Sequence, residues 1–323
     1  MLKSRLCIAF FAFAVGCAPA QKPLTDYVNP MLGTATLWDS VDLGFKPTKR
    51  TWGAEVFPGS ALPNAMVQVS PVTKFHSGAG YQYEDSVIYG FTHTNKGHWN
   101  LCHIPLLPVT GTPTPGDYCS PFSHERESAA PGYYQVFLDR YGVDAQLSST
   151  LRCAFHKYTY PAGAAPAVLA DLQRSNEHVR AWDIRKEGDN VFAGWQQTGE
   201  KMYFYAVANR PVTGIEPVVE GDREVRIVRF GEGDGALELR IGFSFVSEKN
   251  ARENLEAEML GKSFAEVRSE ATATWNDLLG RIRVEGGTER EKGLFYSSLY
   301  RSFHWPALRS DVNDGIRAIS QRE

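Results

Sequence analysis

The run FTHTNKGHWNLCHIPLLP, residues 91–108, gathers His93, Asn95, His98, Trp99, Cys102 and His103. Imidazole and thiolate groups are zinc ligands, so a metal centre is the first chemistry they suggest. The spacing matches no zinc pattern, and no second ligand pair follows. A thiol–imidazole nucleophile using Cys102 is the second. Its partners would have to converge in space, which sequence neighbours rarely do. Polyol recognition is the third. Asn and His both donate and accept hydrogen bonds, and Trp99 offers a flat face to a sugar ring. One hydrogen bond contributes about 0.5–1.5 kcal/mol net, so a sugar site must gather many. A plain structural role fits the same composition, with histidines and amides tying a turn to the backbone. No pair of carboxylates declares itself as acid and base. Asp311, in the polar loop ALRSDVND, is the acidic residue best placed for a ligand.

The elements that would position these groups fall into two regimes. Residues 24–130 are rich in Gly and Pro and read as loops and short strands. From 131 onward, YYQVFL, GVDAQLSST, CAFHKYTY, APAVLADL, HVRAWDIRK, NVFAGWQQ, MYFYAVAN, REVRIVRF and LELRIGFSFV follow at regular spacing. Turn signals such as EGDN, TGEK and GEGDG separate them. Alternation at this spacing predicts an antiparallel β-sandwich.

Helical character begins after Ser247, with ARENLEAEML and SFAEVRSEATATWNDLLG. Ser263 with Glu266 forms a capping box. Phe264, Val267, Ala271, Trp275 and Leu278 share one helical face. TEREKGLFYSSLYRSFHW opens on a second box, Thr288 with Glu291, and stops at Pro306. Its apolar stripe is Phe295, Leu299 and Phe303, widened by Tyr296 and Tyr300. So broad a face needs partners. With only a few residues remaining before ISQRE, the chain reads as cut short early in a second, helical domain; helices that pack on the sandwich alone are the alternative.

The 323 residues carry a net charge of −3, which gives no electrostatic footprint for nucleic acid. A hydrophobic content of 43% is enough for a real core and argues against disorder. The N-terminus has Lys3 and Arg5, an apolar run from Leu6 to Gly16, then Cys17. The run is too short to span a membrane and reads as a secretory signal. AVGC resembles a bacterial lipobox, in which Cys17 is lipidated and tethers an exported chain to the membrane. An ordinary signal peptide cleaved after Ala20 is the alternative. Cys102, Cys119 and Cys153 then remain, an odd count that fits no full disulfide framework.

Several ordered motifs resemble one family, the bacterial exo-acting α-mannosidases of glycoside hydrolase family 92. VNPMLGT at 28–34 is similar to its opening VNP(F)IGT, and VFPGSALPNAMVQVSP at 56–71 to its FPGA segment. SGAGYQYEDSVIYGFTHT at 77–94 and IPLLPVTG at 104–111 follow in order. ARENLEAEM, TWNDLLGRIRVEGG, LFYSSLY and LRSDVNDG complete a likeness running from about residue 26 to about 315.

This resemblance implies a mainly β chain: a galactose-mutarotase-like β-sandwich over 24–247, after a signal region at 1–20. Linker helices and the truncated start of an (α/α)6 toroid would occupy 248–323. It implies calcium-dependent, inverting hydrolysis of terminal α-mannosides on N-glycans or related glycoconjugates, at the bacterial periplasm or cell surface. The general acid and base lie in the toroid, so no catalytic residue carries over and the chain alone is expected to be inactive. Calcium ligands are expected largely beyond this chain. Positions matching the mannose subsite are Asp311, His76 and the 93–99 loop, with His93, Asn95, His98 and Trp99 as candidate contacts. Where the family carries a Gly- and Ser-rich run, this chain has NKGHWN, a departure that bears on linkage preference. The rival readings are a non-catalytic carbohydrate-binding surface lipoprotein and a glycoprotein N-glycan amidase.

Overall fold

The computed structural model describes residues 22–36, 56–96 and 99–316. Two eight-stranded antiparallel sheets pack face to face. The first runs Ser60–Ala61, Val67–Val72, Gly90–Lys96, Leu106–Val109, Ala167–Ala170, Arg223–Phe230 and Val212–Glu220, with Trp99–Asn100 paired to Gly90–Lys96. The second runs Ala181–Lys186, Val191–Gln197, Lys201–Ala208, Leu237–Ser244, Cys153–Thr159, Val143–Ser149, Tyr133–Leu138 and Glu127–Ala130. The expected mainly β sandwich is therefore present.

Period-two alternation decides which side chains fill the interior. Along Lys201–Ala208, Met202, Phe204, Ala206 and Ala208 are buried while their neighbours are half-buried. Along Leu237–Ser244, Leu237, Leu239, Ile241 and Phe243 join the main core. The opposite face of that strand is covered by helix α1, Glu248–Glu258. A Cβ on Gly242 would lie 2.1 Å from the Ala251 carbonyl oxygen, so only glycine lets α1 approach this closely. Leu255 and Met259 pack there against Cys153 and Phe155.

Helices α2, Phe264–Leu279, and α3, Glu289–Ser302, both begin with the capping boxes read from the sequence. The buried face of α2 is Phe264, Val267, Ala271, Trp275 and Leu279, with Leu279 where Leu278 was expected. The indole of Trp275 donates to the Ala61 carbonyl at 2.8 Å, fixing α2 to the first sheet. Of the face expected on α3, Tyr296, Tyr300, Leu299 and Phe303 pack on a small core, and Phe295 does not. Tyr296, Ser297 and Tyr300 are buried, while Phe295 stays 36% exposed. Tyr296 and Tyr300 face Trp275, Leu24 and Val28 in a separate small core, and those rings fix the helix's rotation.

The same alternation puts His93 inside. It shares a strand face with Phe91, and His156 shares one with Tyr158. Their Nε2 atoms meet at 2.9 Å across the sandwich, and His156 Nδ1 lies 2.6 Å from the Tyr158 hydroxyl. Burial holds the His93 imidazole down at about 3. Burial, and then the neighbouring His93, keeps His156 well below its ordinary value.

An unfolded histidine takes up its proton near 6.5, whereas His93 does so only near 3. Between those values the unfolded chain holds more protons, so acid favours unfolding. Unfolding free energy from urea titrations is expected to fall from pH 6.5 towards 3, and His93→Gln to flatten that fall by up to about 1.4 kcal/mol per pH unit. A slope unchanged by the substitution would contradict a neutral His93.

Candidate functional site

A cleft of about 1030 Å³ opens where loops of the first sheet meet the end of α3. This is the upper end of the size usual for small-ligand sites. Two tryptophans from distant parts of the chain line it. Trp99 comes from the short hairpin in which Lys96 pairs with Trp99, and it is 52% exposed. Trp305 follows α3 and is 47% exposed. Large aromatic surface left to solvent on a cleft wall suits a ligand with apolar ring faces.

Asn176 holds the loops of the cleft together. Its Oδ1 accepts from the His76 amide at 2.6 Å. Its Nδ2 donates to the carbonyls of Ser77 at 2.9 Å and Asn100 at 2.6 Å. Its own amide donates to the Leu101 carbonyl at 3.0 Å. His76 has a φ of +60°, a left-handed conformation that a non-glycine residue rarely adopts. The Asn176 bond stabilises that conformation locally.

The far wall is fixed by Arg301 and His304. The Arg301 guanidinium donates to the carbonyls of Phe57, at 2.8 Å, and Pro30. Burial lowers its pKa. His304 is buried against Phe57, Tyr300 and Trp275. Burial, then the Arg301 charge, pulls its imidazole well below the ordinary range. His304 therefore stands neutral at physiological pH.

Among the described residues, Glu177 is the carboxylate lining the cleft. Thr198 Oγ1 donates to its Oε2 at 2.5 Å, and His103 Nε2 lies 3.5 Å from the same oxygen. His103, 1% exposed, also meets Thr198 at 3.0 Å and Thr94 at 2.9 Å. A buried relay from Thr94 through His103 and Thr198 thus fixes Glu177 before any ligand arrives.

Of the residues singled out in the sequence, His76 and Trp99 reach the cleft. His98 and Cys17 lie outside the described residues. His93 and Asn95 are fully buried rather than lining the cleft. The inward strand face carries His93, and the Asn95 carbonyl accepts from Arg309 at 3.2 Å. Asp311 is 1% exposed. Its Oδ2 accepts from Ser244 and Asn250, both at 2.8 Å, and its Oδ1 from Asn254 at 2.7 Å. The sugar contacts expected at His93, Asn95 and Asp311 thus give way to structural bonds, because burial removes them from solvent.

Cys102 and His103 lie in an irregular segment rather than a strand, Cys102 with a φ of +54°. Burial pushes the Cys102 thiol far above its ordinary value, which removes it as a nucleophile. Cys102, Cys119 and Cys153 are all unpaired. Among the described residues no three His, Cys, Asp or Glu side chains converge as a metal site. Calcium takes six to eight oxygen ligands, so these residues do not by themselves fit that ion.

No motif marks Asn176, Glu177, Arg301 or His304 as site residues. SNEH reads as an ordinary polar turn, and the helix end reads as packing. Trp305, a large aromatic next to a helix-stopping proline, was the one visible signal.

The model of the glycosyl hydrolase family 92 N-terminal domain matches residues 27–254, and that of the family's catalytic domain matches residues 250–320. An uncharacterized secreted glycosidase of Arthroderma benhamiae is 24% identical, over 87% of this chain and 41% of its own length. The structure of a family GH92 α-mannosidase from Bacteroides thetaiotaomicron superposes with a TM-score of 0.79 at 25% identity, covering 90% of this chain and 42% of that one. Its complex with mannoimidazole gives 0.78 at 25% identity, covering 90% and 41%. A family GH92 inverting mannosidase of the same organism shares the fold with a TM-score of 0.75 at 24% identity, covering 90% and 41%. The chain thus spans about two fifths of the length of these relatives.

Asn176→Ala removes hydrogen bonds to three backbone groups in the loops. It is expected to lower unfolding free energy by about 1–3 kcal/mol, read from urea denaturation. An unchanged midpoint and slope would show that the loops stand without the clamp.

Proposed function

Because this chain belongs to glycosyl hydrolase family 92, we propose that its cleft is the β-sandwich side of a site for terminal α-mannosides. The carrying observation is the cleft itself, with exposed Trp99 and Trp305 beside the polar side chains of His76 and Glu177 on loops held by Asn176. A hexose combines apolar ring faces with a rim of hydroxyls. Tryptophan serves the first, while the His76 imidazole and the Glu177 carboxylate serve the second.

The reaction of the whole protein is, in this reading, hydrolysis of a terminal mannoside on an N-glycan or related glycoconjugate, with inversion. Inversion needs a general acid and a general base, roughly 6.5–9.5 Å apart with a water between base and sugar. Glu177 is the carboxylate available from the cleft lining, and one carboxylate cannot play both roles in a single displacement. Glu177 can fill one role at most, so at least one of the pair belongs to a residue outside this cleft wall. The wall binds and orients the sugar and shields one side of it from water. Calcium, in this reading, would take most of its ligands from outside the described residues, among which no three His, Cys, Asp or Glu side chains converge. Export with a lipid anchor at Cys17 extends the same reading. Incorporation of labelled palmitate, lost in Cys17→Ser, tests it.

The 323-residue chain is expected to bind methyl α-mannoside saturably, seen as a change in tryptophan fluorescence, without releasing nitrophenol from an aryl α-mannoside. Trp99→Ala and Trp305→Ala should each weaken binding by about tenfold, as loss of about 1.4 kcal/mol of ring contact implies. Turnover of the aryl mannoside would overturn the assignment of at least one of the pair elsewhere. Binding indifferent to both substitutions would overturn the cleft as the sugar site.

A further inference from the structure

A second groove, of about 730 Å³, opens beside the cleft. It shares two lining residues with it, His76 and Glu177, so a ligand leaving the cleft over that rim enters the groove directly. The groove lies between the 173–182 segment and the turn at Asp222 and Arg223.

We propose that this groove is a subsite for the inner, uncharged sugar residues of an oligosaccharide whose terminal residue sits in the cleft. The inference rests on the mannoside reading of the cleft and deepens it, since it makes recognition depend on chain length.

Three features of the groove support a built site. Arg174 and Arg223 are held from beneath by the buried carboxylate of Asp171, which lies 2.7 Å from Arg223 Nη2 and 3.7 Å from Arg174 Nε. Tyr118 donates to the same carboxylate at 2.6 Å. The Arg174 guanidinium is also packed by the rings of Phe75 and Tyr89, at 5.3 and 5.4 Å. Both guanidinium groups are thus presented in fixed orientations, which lowers the ordering cost of binding. Trp182 supplies aromatic surface, braced by Arg226 at 5.3 Å, and exposed Arg180 and His178 add donors.

Charge balance selects the ligand class. Arg174, Arg180 and Arg223 are matched by Asp171, Glu177 and Asp222. A site for a phosphate or a uronic acid would leave cationic charge uncompensated. A balanced set of fixed donors and acceptors beside a tryptophan suits hydroxyls and sugar-ring faces.

The test compares ligands of two lengths on the 323-residue chain by titration calorimetry. A linear mannopentaose is expected to bind about tenfold more tightly than methyl α-mannoside. Arg180→Ala and Trp182→Ala, neither of which lines the cleft, should each erase most of that advantage and leave methyl α-mannoside affinity as it was. Arg180 is exposed and anchored by its backbone amide, which donates to the Gln197 carbonyl at 2.8 Å. Its alanine variant therefore keeps the test open even if Trp182→Ala is unstable. Equal affinity for the two sugars, or a length advantage that survives both substitutions, overturns the groove alone. Failure of methyl α-mannoside to bind at all overturns the cleft reading and the groove with it.

Discussion

The site depends on one side chain, the amide of Asn176. A primary amide has two donors and two acceptor lone pairs, and here it bonds three backbone groups on two loops, the His76 amide and Ser77 carbonyl on one and the Asn100 carbonyl on the other. Those loops leave different strands of the first sheet, and the bonds hold them at one fixed separation. His76 keeps its left-handed backbone because of that bond, and the hairpin bearing Trp99 is held by its neighbour Asn100. The rim between cleft and groove, His76 and Glu177, sits on either side of the same residue.

A second constraint acts on the opposite wall. Trp305 and His304 come from the end of α3, so the cleft exists only if the helices are docked on the sandwich. Trp275 docks α2 through the Ala61 carbonyl, Arg301 docks α3 through Phe57 and Pro30, and Asp311 gathers Ser244, Asn250 and Asn254 beneath the following turn. A buried carboxylate with three donors is strongly held, and removing one partner costs more than the bond itself contributes. Asp311 thus supports the site from behind.

Local rules carried most of the architecture. Period-two alternation announced the strands from Tyr133 to Ser244, and two capping boxes placed the starts of α2 and α3. The edge strand Val212–Glu220 went unread because Gly214 and Pro217 weaken its signal, and an edge position tolerates both. Ordered motifs pointed to the family before any contact was known. The site was less legible. His93, Asn95 and Asp311 have the residue types of sugar ligands, and only burial separates them from His76 and Trp99. Burial is set by which strand faces inward and by what packs on top, long-range facts that a short motif does not contain. Asn176 and Glu177 were invisible for the converse reason, since SNEH gains its meaning from loops about 75 and 100 residues earlier.

The most direct measurement is a crystal structure of the 323-residue chain grown with α-1,2-mannobiose. The terminal mannose is expected in the cleft, with a ring face against Trp99 or Trp305 and hydroxyls bonded to Glu177, and the second sugar directed over His76 towards Trp182. Disaccharide bound only elsewhere on the sandwich, with both tryptophans bare, would contradict the assignment of the cleft.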